Sequence, residues 1–256
     1  MLRIKSRWLA FAAVGLLLGG AAWAQIVVDF EDGDTSNWMF VDEKPENLGD
    51  VGPSAWEIRE SQLGLDGMAL YQGSNIWGGP ADEQLLGTFA IYTGQTFTDF
   101  TLEIDVAAAD NDGMGLVWGY TDTSSHNRVI MINDGWPDVP LDGHKGPMVI
   151  AHNRISDDSP WYGDPLAFAH PPEYVPYPED GSRQHWTLTV ENGHFTFTTD
   201  FGTSLEGDAP VLEGYVGIQL YAMQAEFDNL TILPLGVTAV DPAGKAAVLW
   251  GALKSD

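Results

Sequence analysis

The chain has 256 residues, 37 of them acidic against 11 Lys and Arg, for a formal net charge of −26, and it contains no cysteine. Such a surface repels nucleic acid and anionic lipid, and a chain without cysteine cannot rely on disulfides. It attracts cations, and its length suits one large domain whose core needs no covalent staple.

The first 24 residues read as a secretory signal peptide. Arg3, Lys5 and Arg7 form a basic start, Trp8–Leu18 is apolar, and Ala22-Trp23-Ala24 is a small-x-small cleavage site. The apolar run is too short for a membrane anchor. Export to the extracellular space, the periplasm or the cell surface is the expectation that follows.

From Gln25 to Leu235 the sequence predicts short strands separated by Gly, Asp, Asn and Pro. Ile26–Phe30 comes first, followed by the turn Phe30-Glu31-Asp32-Gly33, closed by Trp38. Ala55–Ile58, Met68–Tyr71, Thr88–Tyr92 and Phe100–Ala108 follow. The next are Gly113–Tyr120, Arg128–Ile132, Met148–His152, His185–Val190, His194–Thr199, Gly214–Tyr221 and Ala225–Leu233. A dozen such segments predict an all-β, two-sheet antiparallel jelly-roll sandwich over residues 25–235. Asn133–Gln184 breaks the rhythm: it holds more than half of the 15 prolines and many aromatics, which predicts a long, packed loop. After Leu235, Asp241-Pro242 and the spacing of Ala246, Leu249, Trp250 and Leu253 predict a short amphipathic helix in a C-terminal tail, residues 236–256.

The stretch Asp105–Met131 reads as two long strands joined by an acidic turn, then a third strand. The turn Asp110-Asn111-Asp112-Gly113 suits either a hairpin or a calcium loop. Gly87-Thr88-Phe89-Ala90-Ile91-Tyr92-Thr93 and Asp110–Tyr120 resemble the carboxy-terminal domain of thrombospondins, with Gly214–Tyr221 and Phe227-Asp228-Asn229-Leu230 similar to its closing strands. The resemblance implies the concanavalin A-like sandwich shared by legume lectins, laminin G domains and many glucanases. It also implies an adhesive role, although the cysteines and the acidic repeats of thrombospondins are missing here.

Three chemistries compete for the site. Calcium needs six to eight oxygens. Asp110, Asn111 and Asp112 offer one cluster; Asp29, Glu31 and Asp32 in the first turn, with Asp228 in the last strand, resemble the calcium arrangement of jelly-roll binding modules. Sugars stack on exposed aromatic rings, and Trp77, Trp136, Trp161 and Tyr162 sit among loop residues, whereas Trp56, Trp118 and Trp186 alternate within strands as core. For catalysis, Glu103-Ile104-Asp105 resembles the core of the jelly-roll glucanases, but Ala107 and Ala108 stand where a second glutamate is needed. The histidines show no zinc spacing, and Asn229-Leu230-Thr231 reads as a chance sequon.

These observations converge on a secreted, calcium-stabilised, lectin-like module that binds polysaccharide or an extracellular glycan or matrix component. A polysaccharide-cleaving enzyme with its site at residues 133–184, or a structural surface protein, are the alternatives.

Overall fold

The structure, a computed structural model, describes residues 25–42, 53–76, 87–132, 147–155, 164–170 and 183–235. The predicted signal peptide, the C-terminal helix and the four loop aromatics Trp77, Trp136, Trp161 and Tyr162 all lie outside the described residues.

Two antiparallel sheets face each other, as the strand count predicts. The first runs β13 (Ser204–Asp208), β12 (His194–Thr199), β11 (Gln184–Glu191), β6 (Phe100–Ala108), β15 (Ala225–Pro234), β4 (Met68–Gln72) and β3 (Trp56–Glu60), with β1 (Ile26–Val28) added to β15. The second runs β10 (Ala167–Ala169), β9 (Met148–Arg154), β8 (Ser125–Ile132), β7 (Gly113–Asp122), β14 (Gly214–Tyr221), β5 (Thr88–Phe97) and β2 (Trp38–Asp42). All twelve predicted strands are present. β2, β10 and β13, which lie at sheet edges, are additional.

The core forms where the alternating apolar residues of both inner faces meet. Leu102, Ile104 and Val106 of β6, Trp186 and Leu188 of β11, and Phe227 of β15 face Leu116 and Trp118 of β7 and Ile218 of β14. Trp118 and Trp186 are fully buried, as their place in alternating strands requires.

Asp110–Gly113 is not a hairpin turn. It is a corner that carries the chain from the first sheet to the second: β6 pairs with β11 and β15, while β7 pairs with β14 and β8. A strand with one buried face has the same period whether the next strand lies beside it or across the core.

β15 changes register between Asp228 and Thr231, where three steps along it span only two on β6, from Asp105 to Glu103. The extra residue makes a β-bulge. Asn229 takes the left-handed conformation there, with φ of 52°, which Asn tolerates better than most residues. Beyond the bulge, Leu230–Ile232 pairs with β1, so the first and last strands lie side by side.

Candidate functional site

That pairing gathers acids from distant parts of the chain. Asp228, on β15, is buried on the outer side of the first sheet, opposite Asp105 of β6. Its Oδ1 accepts the Asn229 N–H at 2.7 Å. Burial pushes its carboxyl up to about 6, and the negative charges of Asp105, Glu31 and Asp29 push in the same direction. Asp105 is tied into the same group. Its two oxygens bind His185 Nδ1 at 2.8 Å and Asn229 Nδ2 at 2.9 Å. The sequon's amide nitrogen is therefore engaged in a side-chain hydrogen bond.

Glu31 reaches this corner across the first turn, where its Oε1 accepts the Met68 N–H at 2.8 Å. Gly67 makes room for it. With φ of +67° a side chain would be strained, and a Cβ there would collide with the Glu31 carboxylate.

The predicted metal ligands thus divide. Asp29, Glu31 and Asp228 come within electrostatic range of one another, while Asp110, Asn111 and Asp112 sit apart at the inter-sheet corner. There the Asp110 carboxylate accepts the Asn111 N–H at 2.9 Å. Among the described residues, no group of three or more His, Asp or Glu side chains is disposed to hold a metal ion.

An open cleft of about 170 Å³ lies at the first turn, lined by β1, Asp29, Phe30, Asp32, Asp34, Asn37, Trp38 and Tyr92. Its polar wall is built from local turns. Asp32 Oδ1 accepts the Asp34 N–H, and Asp34 accepts both the N–H and the hydroxyl of Ser36. Those two bonds hold the Asp34 carboxyl below its ordinary pKa. A carboxylate has about four lone-pair sites, so one or two such donors leave it able to accept hydroxyls from a ligand.

The inner wall is aromatic. Phe30 packs on Trp38 and Trp38 on Tyr92, with centroids 5.6 and 5.8 Å apart, and burial raises the Tyr92 hydroxyl pKa. The Asn37 carbonyl accepts the Thr93 N–H at 2.7 Å, tying the turn to β5. Sequence reasoning names Asp29 and Asp32 only as calcium ligands, and it misses Asp34, Asn37 and Tyr92. The signal is the close repetition Asp32-x-Asp34-x-Ser36 before Trp38.

A second polar group is built on β8 and β9, with its His and Arg side chains on the face of the second sheet away from the main core. β8 carries His126-Asn127-Arg128 and β9 carries His152-Asn153-Arg154. Antiparallel register sets each His opposite the other strand's Arg, with Asn127 opposite Asn153. The asparagines join at 2.8 Å, and Arg128 Nη1 donates to Gln219 Oε1 at 3.0 Å. All four His and Arg side chains are buried. Burial, then the Arg128 charge, holds His126 down to about 3 and lowers His152 well below the usual range. Both imidazoles are therefore neutral at physiological pH. The sequence signal is the same tripeptide occurring twice.

No family model matches the sequence, and no curated protein matches it. Solved structures do. The VIP36 exoplasmic/lumenal domain in its Ca2+/Man2-bound form aligns at a TM-score of 0.52 and 11% identity, covering 86% of this chain and 90% of that one. Its Ca2+-bound form aligns at 0.51 and 11%, over 84% and 91%. The carbohydrate binding module CBM66 from Bacillus subtilis aligns at 0.49 and 14%, over 77% and 95%. At these identities the likeness shows the fold alone, a two-sheet antiparallel sandwich of the lectin-like jelly-roll kind.

Proposed function

We propose that this chain is an exported, lectin-like module that binds a polysaccharide, and that the cleft beside β1 holds one of its sugar units. The observation that carries the reading is the composition of that cleft. Asp29, Asp32, Asp34 and Asn37 line it together with Trp38 and Tyr92. Sugar recognition needs acceptors for hydroxyl groups set against an apolar ring surface. The cleft is smaller than the roughly 300–1,000 Å³ of sites for drug-sized ligands, which limits it to about one ring. The lectin-like fold, and a structural neighbour solved with Man2, support the same reading. Adhesion to an extracellular matrix is the use we assign to such binding.

Calcium enters as a stabiliser rather than as part of the sugar site. Asp29, Glu31, Asp105 and Asp228 repel one another across the corner, which a cation would relieve, and the same neighbour carries Ca2+. The carboxylates do not close into a ligand cage, so no step of binding is routed through the metal. Equal melting temperatures in millimolar calcium and in excess chelator would remove calcium from the proposal.

The sugar site is tested by retention on a panel of insoluble polysaccharides, followed by calorimetry on the soluble form of whichever is retained. Asp34→Ala and Asn37→Ala are expected to weaken binding about tenfold each, the loss of one or two hydrogen bonds. Retention on no polysaccharide at all would overturn the function, and full affinity in both variants would overturn the site.

A further inference from the structure

The outer face of the first sheet carries a straight row of side chains running across its strands. Val27 of β1 is opposite Thr231 of β15, and Thr231 is opposite Glu103 of β6. Glu103 is opposite Thr187 of β11, Thr187 opposite Thr198 of β12, and Thr198 opposite Ser204 of β13. Their neighbours along the chain pack inward: Leu230 and Ile232, Leu102 and Ile104, Trp186 and Leu188 all belong to the core. The row therefore faces away from the core, on a floor that the core holds rigid.

Strands in a sheet lie about 4.8 Å apart, so the row presents a side chain at that interval over roughly 24 Å. Thr101, Thr189 and Thr196 form a parallel row one pleat away, with the Thr101 and Thr189 hydroxyls 3.2 Å apart.

Threonine is favoured in strands for its own sake, and cross-strand threonine pairs add stability. Propensity accounts for single residues but not for where the row leads. It ends at Val27, which is 61% exposed and lines the cleft. In a chain of net charge −26, it also holds a single carboxylate, that of Glu103, which accepts the Thr231 hydroxyl at 3.3 Å. No aromatic ring lies in it. Such a surface offers hydrogen bonds at regular intervals with little charge and no stacking platform.

We infer that this row is a track for the chain of a neutral polysaccharide, continuous with the cleft and crossing the strands. The inference rests on the glycan-binding reading and extends it from one sugar unit to a run of several. Anionic polymers are excluded from the track by the field of the acidic surface. Neutral chains meet a hydroxyl or carboxylate partner at each strand of the row from β15 to β13.

The test measures affinity for disaccharides and hexasaccharides of mannan and of β-glucan by calorimetry. The unaltered protein is compared with Thr187→Val/Thr198→Val, which removes two hydroxyls while keeping side-chain shape, and with Asn37→Ala. The unaltered protein is expected to prefer a hexasaccharide over the matching disaccharide by tenfold or more. The threonine variant should lose about tenfold for the hexasaccharide and nothing for the disaccharide, whereas Asn37→Ala should lower both.

Equal affinity for the two lengths, or an unchanged hexasaccharide affinity in the threonine variant, overturns the track. Loss in the threonine variant with no effect of Asn37→Ala keeps the track and overturns the cleft. Binding to neither length overturns both. Should the threonine variant fail to fold by circular dichroism, Ser204→Ala with Glu103→Gln in the same row makes the same comparison.

Discussion

Replacing Asp228 by asparagine should make the protein more stable at neutral pH. The native carboxyl is held at about 6 rather than its ordinary 3.8, chiefly by burial and then by Asp105, Glu31 and Asp29. The folded state therefore holds the proton more tightly than the unfolded chain does. The stabilisation from that proton is complete below about pH 4 and is lost as pH rises through 6. Above pH 6 the ionised group opposes folding by about 3 kcal/mol, because each tenfold change in proton affinity is worth roughly 1.4 kcal/mol. Asparagine is neutral at every pH, and its Oδ1 can still accept the Asn229 N–H. Urea unfolding of Asp228→Asn in chelator at pH 7.5 should thus show a gain of about 2–3 kcal/mol, shrinking toward zero at pH 4. Millimolar calcium should then favour the unaltered protein, because only it keeps the carboxylate set intact. A variant that is neutral or less stable at pH 7.5 in chelator would refute the claim that Asp228 is electrostatically strained.

Other changes follow from the same geometry. His126, at about 3 in the folded state and near 6.5 unfolded, contributes stability above pH 6.5 that is lost as pH falls, about 3 kcal/mol by pH 4. His152 acts in the same direction, and ΔG from urea titrations between pH 7 and 4 measures the sum. Burial pushes the Glu226 carboxyl up, but donors from Ser61, Gln62, Leu63 and Arg59 outweigh it and leave its pKa lowered. Glu226→Gln should therefore cost about 3 kcal/mol by urea unfolding, since it strands Arg59, bound at 2.9 Å. Gly67→Ala should cost about 1–3 kcal/mol in thermal unfolding, and Glu31→Ala in the same chain should restore part of it by removing the collision.

The strands with two or more large apolar residues at alternate positions are legible in the sequence, because burial of one face writes its period directly. β13 offers only Leu205 as a buried apolar side chain, and β10 has three residues, so neither writes a period long enough to read. β2 starts at Trp38, which the sequence already explains as the close of a turn. Pairing partners leave no local mark, which is why a corner between sheets passes for a hairpin at Asp110–Gly113. The same holds for the site. Asp29, Glu31 and Asp228 can be grouped only because first and last strands of jelly rolls often pair. The joining of Asp105, His185 and Asn229 depends on a bulge that no single-residue preference announces. The matched His-Asn-Arg tripeptides are visible, but only an antiparallel register turns a repeat into a two-by-two array.

The order of strands has a consequence for how the chain can be made. β15 lies inside the first sheet, with β6 on one side and β4 and β1, each paired to a different stretch of it, on the other, and β14 lies inside the second, between β7 and β5. Both come from Gly214–Pro234, near the end of the chain. The strands synthesised earlier amount to four separate strips of sheet and a lone β1, with no centre to join them. An emerging chain can collapse but cannot close its sandwich until those last strands arrive, and the pairing of β1 with β15 spans some two hundred residues. Contacts that distant make folding slow. Under the export proposed above, that delay would keep the chain threadable while it is carried across a membrane.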